Sequence, residues 1–413
     1  MIQIQAETKF KDPKLGFYKV QENIYWDKAS ALLAASKLNL TLEHVHWNFN
    51  DDVFSLQDWL DEPPGTLQDY YHARARQLRE KYDYIVVNCS GGADSTTALF
   101  AFLDQGLFVD EVIVRYAKQG TNKYGFDLYN LHASNEHSEF KYAALPMLAT
   151  VKKMSPNTKI TIHDFSKDLV DDKLYWDENY IYWVGDYLGP GCITRYAHNT
   201  MIDSLRNFDK GKTVGIVFGI DKPKVILHQG KFYGYFLDRP VHSPLPATVT
   251  NGWDNISIEL FFWTPDLPKL MIKQCHEILK WFSMPENIGM RHILNLNKQQ
   301  NSVNRTTYEA IIKAIVYPDY DLNTFQANKP SQAVAEEWEN WFYSDYSDSK
   351  GFKIWKRGLE FIKNNISTNF LKGNIHSPDE HWEYHPIKSN FYLIGTLSDT
   401  RSQGKIILPY LNY

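Results

Sequence analysis

The run Tyr84-Ile85-Val86-Val87-Asn88 passes directly into Cys89-Ser90-Gly91-Gly92-Ala93-Asp94-Ser95-Thr96-Thr97, and then into the apolar stretch Ala98 to Leu103. The first run is short, apolar and β-branched, the pattern of a strand buried on both faces. The stretch over 94–103 predicts a helix, with Gly106 at its C-terminal cap. Between them lies a turn with two adjacent glycines. A strand, a tight turn and a helix in that order open a parallel α/β unit. In open parallel sheets, ligands bind at the carboxyl ends of such strands.

The alternation continues down the chain. Residues 111–116, 159–163 and 213–219 predict further strands, and residues 138–153 and 193–208 predict helices between them. These crossovers are long enough for parallel pairing, so the expected fold is α/β with a doubly wound, mainly parallel sheet. Residues 1–82 read as an N-terminal α+β extension, with a helix at 29–38, a strand at 45–49 and a helix at 66–82. In the last, Leu67, Tyr70, Tyr71, Ala75 and Leu78 recur at helical spacing after the break Pro63-Pro64-Gly65. Residues 83–262 form the expected central domain, which includes a hairpin over 225–227 and 232–237 around Gln229-Gly230. Residues 263–413 are expected to be a mostly helical C-terminal domain. Thr264-Pro265-Asp266 predicts a helix start there, and helices are expected at 270–282, 307–316, 331–342 and 355–363.

Bulk properties narrow the function classes. With 12 Trp, 26 Tyr and 23 Phe in 413 residues, the chain has the aromatic content of a folded protein. A net charge of −5 supplies no general basic surface for nucleic acid. Lys353, Lys356, Arg357, Lys363 and Lys372, interleaved with Trp355, Phe361 and Phe370, form a local alternative. A helix with one core face and one solvated face accounts for them more simply. The three cysteines, Cys89, Cys192 and Cys275, are far apart and form neither a disulfide framework nor a four-cysteine zinc site, which suits a reducing cytoplasmic setting. The N-terminus lacks the basic-then-apolar order of a signal peptide, and the apolar stretch at 258–263 falls well short of the roughly 20 residues needed to span a bilayer.

The glycine turn carries the chemistry. Gly91 and Gly92 let backbone N–H groups approach an anion with no side chain in the way. The following helix points its positive end at the same spot. Ser90, Ser95 and Thr96 add hydroxyl donors. Asp94 would repel a bare phosphate, but it fits beside one if Mg²⁺ lies between them. Two rival phosphate motifs fail. Gly211-Lys212-Thr213 lacks the first glycine of a Walker A loop, where Arg206 stands, and Gly189-Pro190-Gly191 lacks the third glycine of a dinucleotide fingerprint.

Ser90-Gly91-Gly92-Ala93-Asp94-Ser95 resembles the PP-loop of the N-type ATP pyrophosphatases. That family includes the synthetase domain of asparagine synthetase and the deazaguanine nitrile synthases, and the resemblance covers roughly residues 83 to 225. It implies a HUP-like fold that binds ATP with Mg²⁺ and splits it between the α- and β-phosphates. It places Ser90, Gly91, Gly92, Ala93, Asp94, Ser95 and Thr96 around the nucleotide, with Tyr116 near adenine. Gly219 and Asp221 fall where the family's synthetases hold ATP and its metal, so Asp94 and Asp221 become the expected metal ligands. Lys222 or Lys224 would clamp the departing pyrophosphate, and Arg195 is an anion contact. Asp94, Ser95 and Lys222 are the expected catalytic set.

The local sequence departs from the Gly-Asp-Gly-x-Asp-Glu form of asparagine synthetases, and position 2 is Ile rather than a glutaminase cysteine. The expected activity is therefore AMP-forming activation of a carboxylate or carbonyl oxygen, on a small acid or modified base, followed by attack of an amine or ammonia. Two alternatives stand beside it: a sulfurtransferase or sulfate-reductase-like enzyme, and a nucleotide-binding module without catalysis. Cys192 could serve the first of these as a thiol, although no partner cysteine is visible.

Overall fold

A computed structural model describes residues 12–116, 140–164, 211–238, 255–295, 302–318, 343–373 and 382–397. The helices expected at 193–208 and 331–342, together with Arg195 and Cys192, lie outside the described residues.

The N-terminal part forms a three-stranded antiparallel sheet, β1 (Phe17–Val20), β2 (Asn23–Tyr25) and, after helix α1 (Lys28–Lys37), β3 (Val45–Asn48), in the order β2-β1-β3. A short helix α2 (Asp51–Phe54) leads to α3 (Leu67–Lys81). Thr66 caps α3 reciprocally: its hydroxyl accepts from Asp69 N, and the Asp69 carboxylate accepts from Thr66 N at 2.8 Å.

The central unit follows as β4 (Tyr84–Asn88), α4 (Ala93–Leu103), β5 (Glu111–Tyr116), α5 (Leu145–Met154), β6 (Lys159–Asp164) and β7 (Val214–Phe218). The helix expected over 138–153 begins, within the described residues, as a wide turn at Phe140–Ala144. Pro146, in the first turn of α5, has no N–H to give to the carbonyl four residues before it and is tolerated there because first-turn N–H groups have no partner within the helix.

A hairpin comes next, β8 (Lys224–His228) and β9 (Lys231–Tyr235), and then β10 (Ile256–Leu260). The strand β10 was not expected, yet it returns to the central sheet and pairs in parallel with β7 from Ile256 opposite Val214 to Leu260 opposite Phe218. The result is a five-stranded, all-parallel sheet in the order β10-β7-β4-β5-β6.

The C-terminal part contains α6 (Pro268–Ser283), α7 (Ser302–Val316) and α8 (Lys350–Asn365), followed by β11 (Leu371–Gly373), β12 (Trp382–Tyr384) and β13 (Tyr392–Thr396). Its described residues are mainly helical, with three short strands besides, and β13 pairs with β9 to complete the hairpin's sheet, β13-β9-β8. The helix start expected at Thr264-Pro265-Asp266 is a turn, in which Asp266 N donates to Thr264 Oγ1 at 3.1 Å, and α6 begins at Pro268. Leu267 precedes that proline, whose ring pushes it off the helical region, to φ −146° and ψ 66°. Among the described residues, no helix is long and apolar enough to cross a membrane.

Aromatic rings tie the N-terminal part to the rest. Phe49 and Phe54 pack on Phe236, Phe236 packs edge-on against Trp263, and Trp59 stacks on Tyr392 at 4.3 Å. A buried ion network does similar work between α3 and β10. Arg74, fully buried, donates to Glu259 Oε2 at 2.8 Å and to the Leu260 carbonyl at 3.1 Å. Lys81 approaches Glu259 Oε1 at 2.6 Å, and the Tyr82 hydroxyl also donates to it. Burial alone would raise the Glu259 carboxyl. The Arg74 charge and the hydrogen bonds from Lys81 and Tyr82 outweigh burial and hold it below its usual 4.5. A carboxyl held low in the folded state stabilises that state above the unfolded pKa, and the gain is lost as pH falls through the folded value. Arg74→Met should therefore destabilise the protein by about 3 kcal/mol at neutral pH, because it leaves Glu259 buried with fewer counter-ions. Urea unfolding measures this, and the difference from wild type should shrink as pH drops below 4.5.

Candidate functional site

The strands β4 and β7 are neighbours in the sheet. The chain leaves β4 toward β5 on one side, while β7 has β10 on its other side. The carboxyl ends of β4 and β7 therefore border the point where the strand order reverses, the place where parallel sheets open a crevice. The glycine turn occupies the end of β4, and Gly219 to Lys224 occupies the end of β7.

The turn is held from within. Cys89 N donates to the Ile113 carbonyl at 2.9 Å, which fixes the exit of β4 against β5. Ser95 Oγ accepts from Ser90 N and donates to the Gly92 carbonyl, each at 3.2 Å. Gly92 N donates to Ser90 Oγ at 3.3 Å. The Ser95 hydroxyl thus shapes the turn, while Ser90 is exposed. Gly91 has φ +75°, and a Cβ there would lie 2.6 Å from the Ala143 and Ala144 backbone, so both conformation and space require glycine. The N–H groups of Gly91, Ala93 and Asp94 make no hydrogen bond among the described residues, as expected where a helix begins. They are available to an anion.

Gly219 brings the second segment close. A Cβ on it would lie 2.6 Å from Ser95 Cα and 2.7 Å from the Asp94 carbonyl oxygen. That approach carries Asp221 and Lys222 to Asp94. Lys222 Nζ lies 3.2 Å from Asp94 Oδ2, 3.1 Å from Asp221 Oδ1 and 3.2 Å from Glu309 Oε2. Lys224 Nζ lies 3.4 Å from Asp221 Oδ2 and 3.0 Å from Glu309 Oε1. Lys222 is 4 % exposed, so its charge depends on these carboxylates. Burial opposes its ammonium form, but Asp221, Asp94 and Glu309 together raise its pKa well above the ordinary lysine value. Asp221 moves the opposite way: burial raises it, and Lys222 and Lys224 pull it far below the usual carboxylate range. Glu309, likewise resisted by burial and drawn by Lys224 and then Lys222, comes down to about 2.

Among the expected site residues, the structure thus brings together Ser90, Gly91, Gly92, Ala93, Asp94, Ser95 and Thr96 with Gly219, Asp221 and Lys222. Tyr116 ends β5 two strands away from β7, at the same edge of the sheet. Glu309 was missed by sequence reasoning, as were two tyrosines on the same stretch of chain. Tyr308 accepts from Val225 N at 2.9 Å and donates to the Pro223 carbonyl at 3.2 Å, fastening α7 to the segment after β7. Tyr317, fully buried, turns its hydroxyl toward Asp94 without closing a hydrogen bond of normal geometry. Asn88, the last residue of β4, is also buried, and neither its amide oxygen nor its nitrogen is paired among the described residues. These residues carry no local motif. The only sequence signal was an amphipathic helix at 307–316 with an acid on one face.

Among the described residues, no group of three or more His, Cys, Asp or Glu side chains gathers with metal-site geometry. Asp94 and Asp221 instead share the Lys222 ammonium, a cation already seated between two carboxylates. Two hard oxygen donors beside a turn with open N–H groups match the donor set that Mg²⁺ takes. Of the cysteines, Cys89 is buried, with Sγ 3.8 Å from Met147 Sδ, and Cys275 is buried with its thiol pushed up by burial.

Comparison with known proteins finds no matching family model and no matching curated protein.

The Gly219 contact is testable by itself. Gly219→Ala should lower stability by about 1–3 kcal/mol, because the methyl group meets backbone that cannot swing away. Gly289→Ala is the control, since a Cβ there has nothing within 4 Å. Chemical denaturation of both variants checks the difference.

Proposed function

We propose that the chain is a HUP-like, PP-loop-type ATP pyrophosphatase that activates a carboxylate or carbonyl oxygen as its adenylate and passes it to an amine or ammonia. The observation that carries this reading is the meeting of Asp94, Asp221 and Lys222 over a glycine turn with unpaired N–H groups, at the fork between β4 and β7.

Each residue has a role in that reading. The N–H groups of Gly91, Ala93 and Asp94 bind phosphate oxygens at the positive end of α4. Ser95 and Ser90 keep the turn in shape through their own hydrogen bonds. Asp94 and Asp221 would hold Mg²⁺, which neutralises phosphate charge when bound. The carboxylates around Lys222 favour its ammonium form, and it lies close enough to Asp94 to reach the same phosphates, so it stabilises the pyrophosphate as it leaves. Tyr116 stands at the strand end assigned to adenine.

A small acid or a modified base fits the acceptor side of this reading, with ammonia or another amine as nucleophile. The buried state of Cys89 and Cys275 gives the sulfur-transfer alternative no support from the described residues. Cytoplasmic location remains part of the proposal.

The test is pyrophosphate release from Mg·ATP by the full chain, assayed against a panel of carboxylic acids and amines. The expected result is AMP and pyrophosphate, stimulated by one class of acid, with Asp94→Ala lowering the rate by roughly 100-fold or more. Release of ADP and phosphate, or equal pyrophosphate release by wild type and Asp94→Ala, would contradict it. ATP binding with no turnover on any acid would favour the binding-module reading.

A further inference from the structure

The position of Glu309 raises a question of charge that the proposed reaction does not answer. Lys222 Nζ has three carboxylates within 3.2 Å, two of which, Asp94 and Asp221, come from the nucleotide fork. The third, Glu309, comes from α7, in the C-terminal part. Bringing a divalent cation to Asp94 and Asp221 places two positive charges beside an ammonium, and like charges at that range repel strongly in a site poor in water. At 4 % exposure Lys222 has little solvent to retreat to. It must leave the aspartates yet stay beside the phosphates with a counter-ion on the protein, and Glu309 is the carboxylate left to it.

Glu309 is also held in place. Its neighbour Tyr308 is bonded to both Val225 N and the Pro223 carbonyl, and its own Oε1 is paired with Lys224 at 3.0 Å. A second sign that the fork is built to receive a polar ligand is independent of the acids: the carboxamide of Asn88, at the end of β4, is buried, and neither its oxygen nor its nitrogen has a hydrogen-bond partner among the described residues. Unpaired buried polar groups are costly, and such costs concentrate where a ligand completes the bonding.

We propose that Glu309 is a positioning residue: it draws the Lys222 ammonium away from Asp94 and Asp221 when a magnesium nucleotide binds, and so sets how much magnesium the site needs. This rests on the proposed nucleotide site. Lys224 keeps the Glu309 carboxylate oriented, and α7 thereby couples the C-terminal part to metal occupancy. Without Glu309 the ammonium has only the two aspartates to pair with, and it competes directly with the metal for them.

The test is calorimetric binding of α,β-methylene-ATP, which cannot be cleaved between those phosphates, to the full chain over a range of Mg²⁺ concentrations and in EDTA. Glu309→Gln should raise the Mg²⁺ concentration for half-maximal binding by about 10-fold, while binding in EDTA does not weaken. Glu309→Asp, which keeps the charge, should fall between the two, and it carries the test if the glutamine variant does not fold. Lys222→Met should lower the Mg²⁺ midpoint, and adding Glu309→Gln to it should change nothing further, since the competitor is gone. A Mg²⁺ midpoint within about 2-fold of wild type in folded Glu309→Gln, or equal weakening with and without metal, would overturn the proposal. If wild type binds the analogue and Asp94→Ala abolishes the magnesium dependence, the nucleotide site stands and Glu309 alone is at fault. If wild type binds no nucleotide under any condition, both readings fall.

Discussion

Strands β4 and β7 run side by side and end together, and at that end the chain packs backbone against backbone. Gly219 sits so close to the first turn of α4 that even a methyl group would overlap Ser95 and Asp94. The whole charge arrangement at the fork depends on this contact. It sets the distance from Asp94 to Lys222, which in turn lets Asp221, Lys224 and Glu309 join one continuous network. A larger residue at 219 would separate the two segments and take the Lys222 ammonium away from Asp94.

The network is also where the parts of the chain meet. Three carboxylates and two ammonium groups crowd the fork, and the buried Lys222 ammonium depends on the carboxylates around it for its counter-charge. The N-terminal extension is joined to the central sheet by a second ion network, around Arg74 and Glu259. It is joined to the hairpin by stacked aromatic rings. The glycine turn is therefore carried on a frame braced from both ends of the sequence. Such a frame suits a site that must keep N–H groups and charges aimed before a ligand arrives.

How much of this was legible in the sequence depended on range. The unit β4, turn and α4 was readable because each signal is local: a β-branched run, paired glycines, then an apolar helix. The strand β10 was not. Its run Ile256-Ser257-Ile258-Glu259-Leu260 carries an acid that argues against a buried strand, and the acid is satisfied by Arg74, 185 residues earlier in the chain. The false helix start at Thr264 had the right residue types. The proline at 268 moved the true start, and Asp266 was taken up by Lys14 at 2.8 Å. At the site, the residues within the turn and just after β7 were visible as motif. Glu309, Tyr308 and Tyr317 were not, since only the packing of α7 gives them a neighbour at the fork.

The central claim is that this fork receives the triphosphate of a magnesium nucleotide. A crystal structure of the chain with α,β-methylene-ATP and Mg²⁺ tests it most directly. The account predicts phosphate oxygens against the N–H groups of Gly91, Ala93 and Asp94, a cation between Asp94 and Asp221, and the Lys222 ammonium drawn off the aspartates, held by Glu309 and facing the phosphates. Nucleotide bound elsewhere on the protein, with Lys222 still bridging the two aspartates, would contradict it.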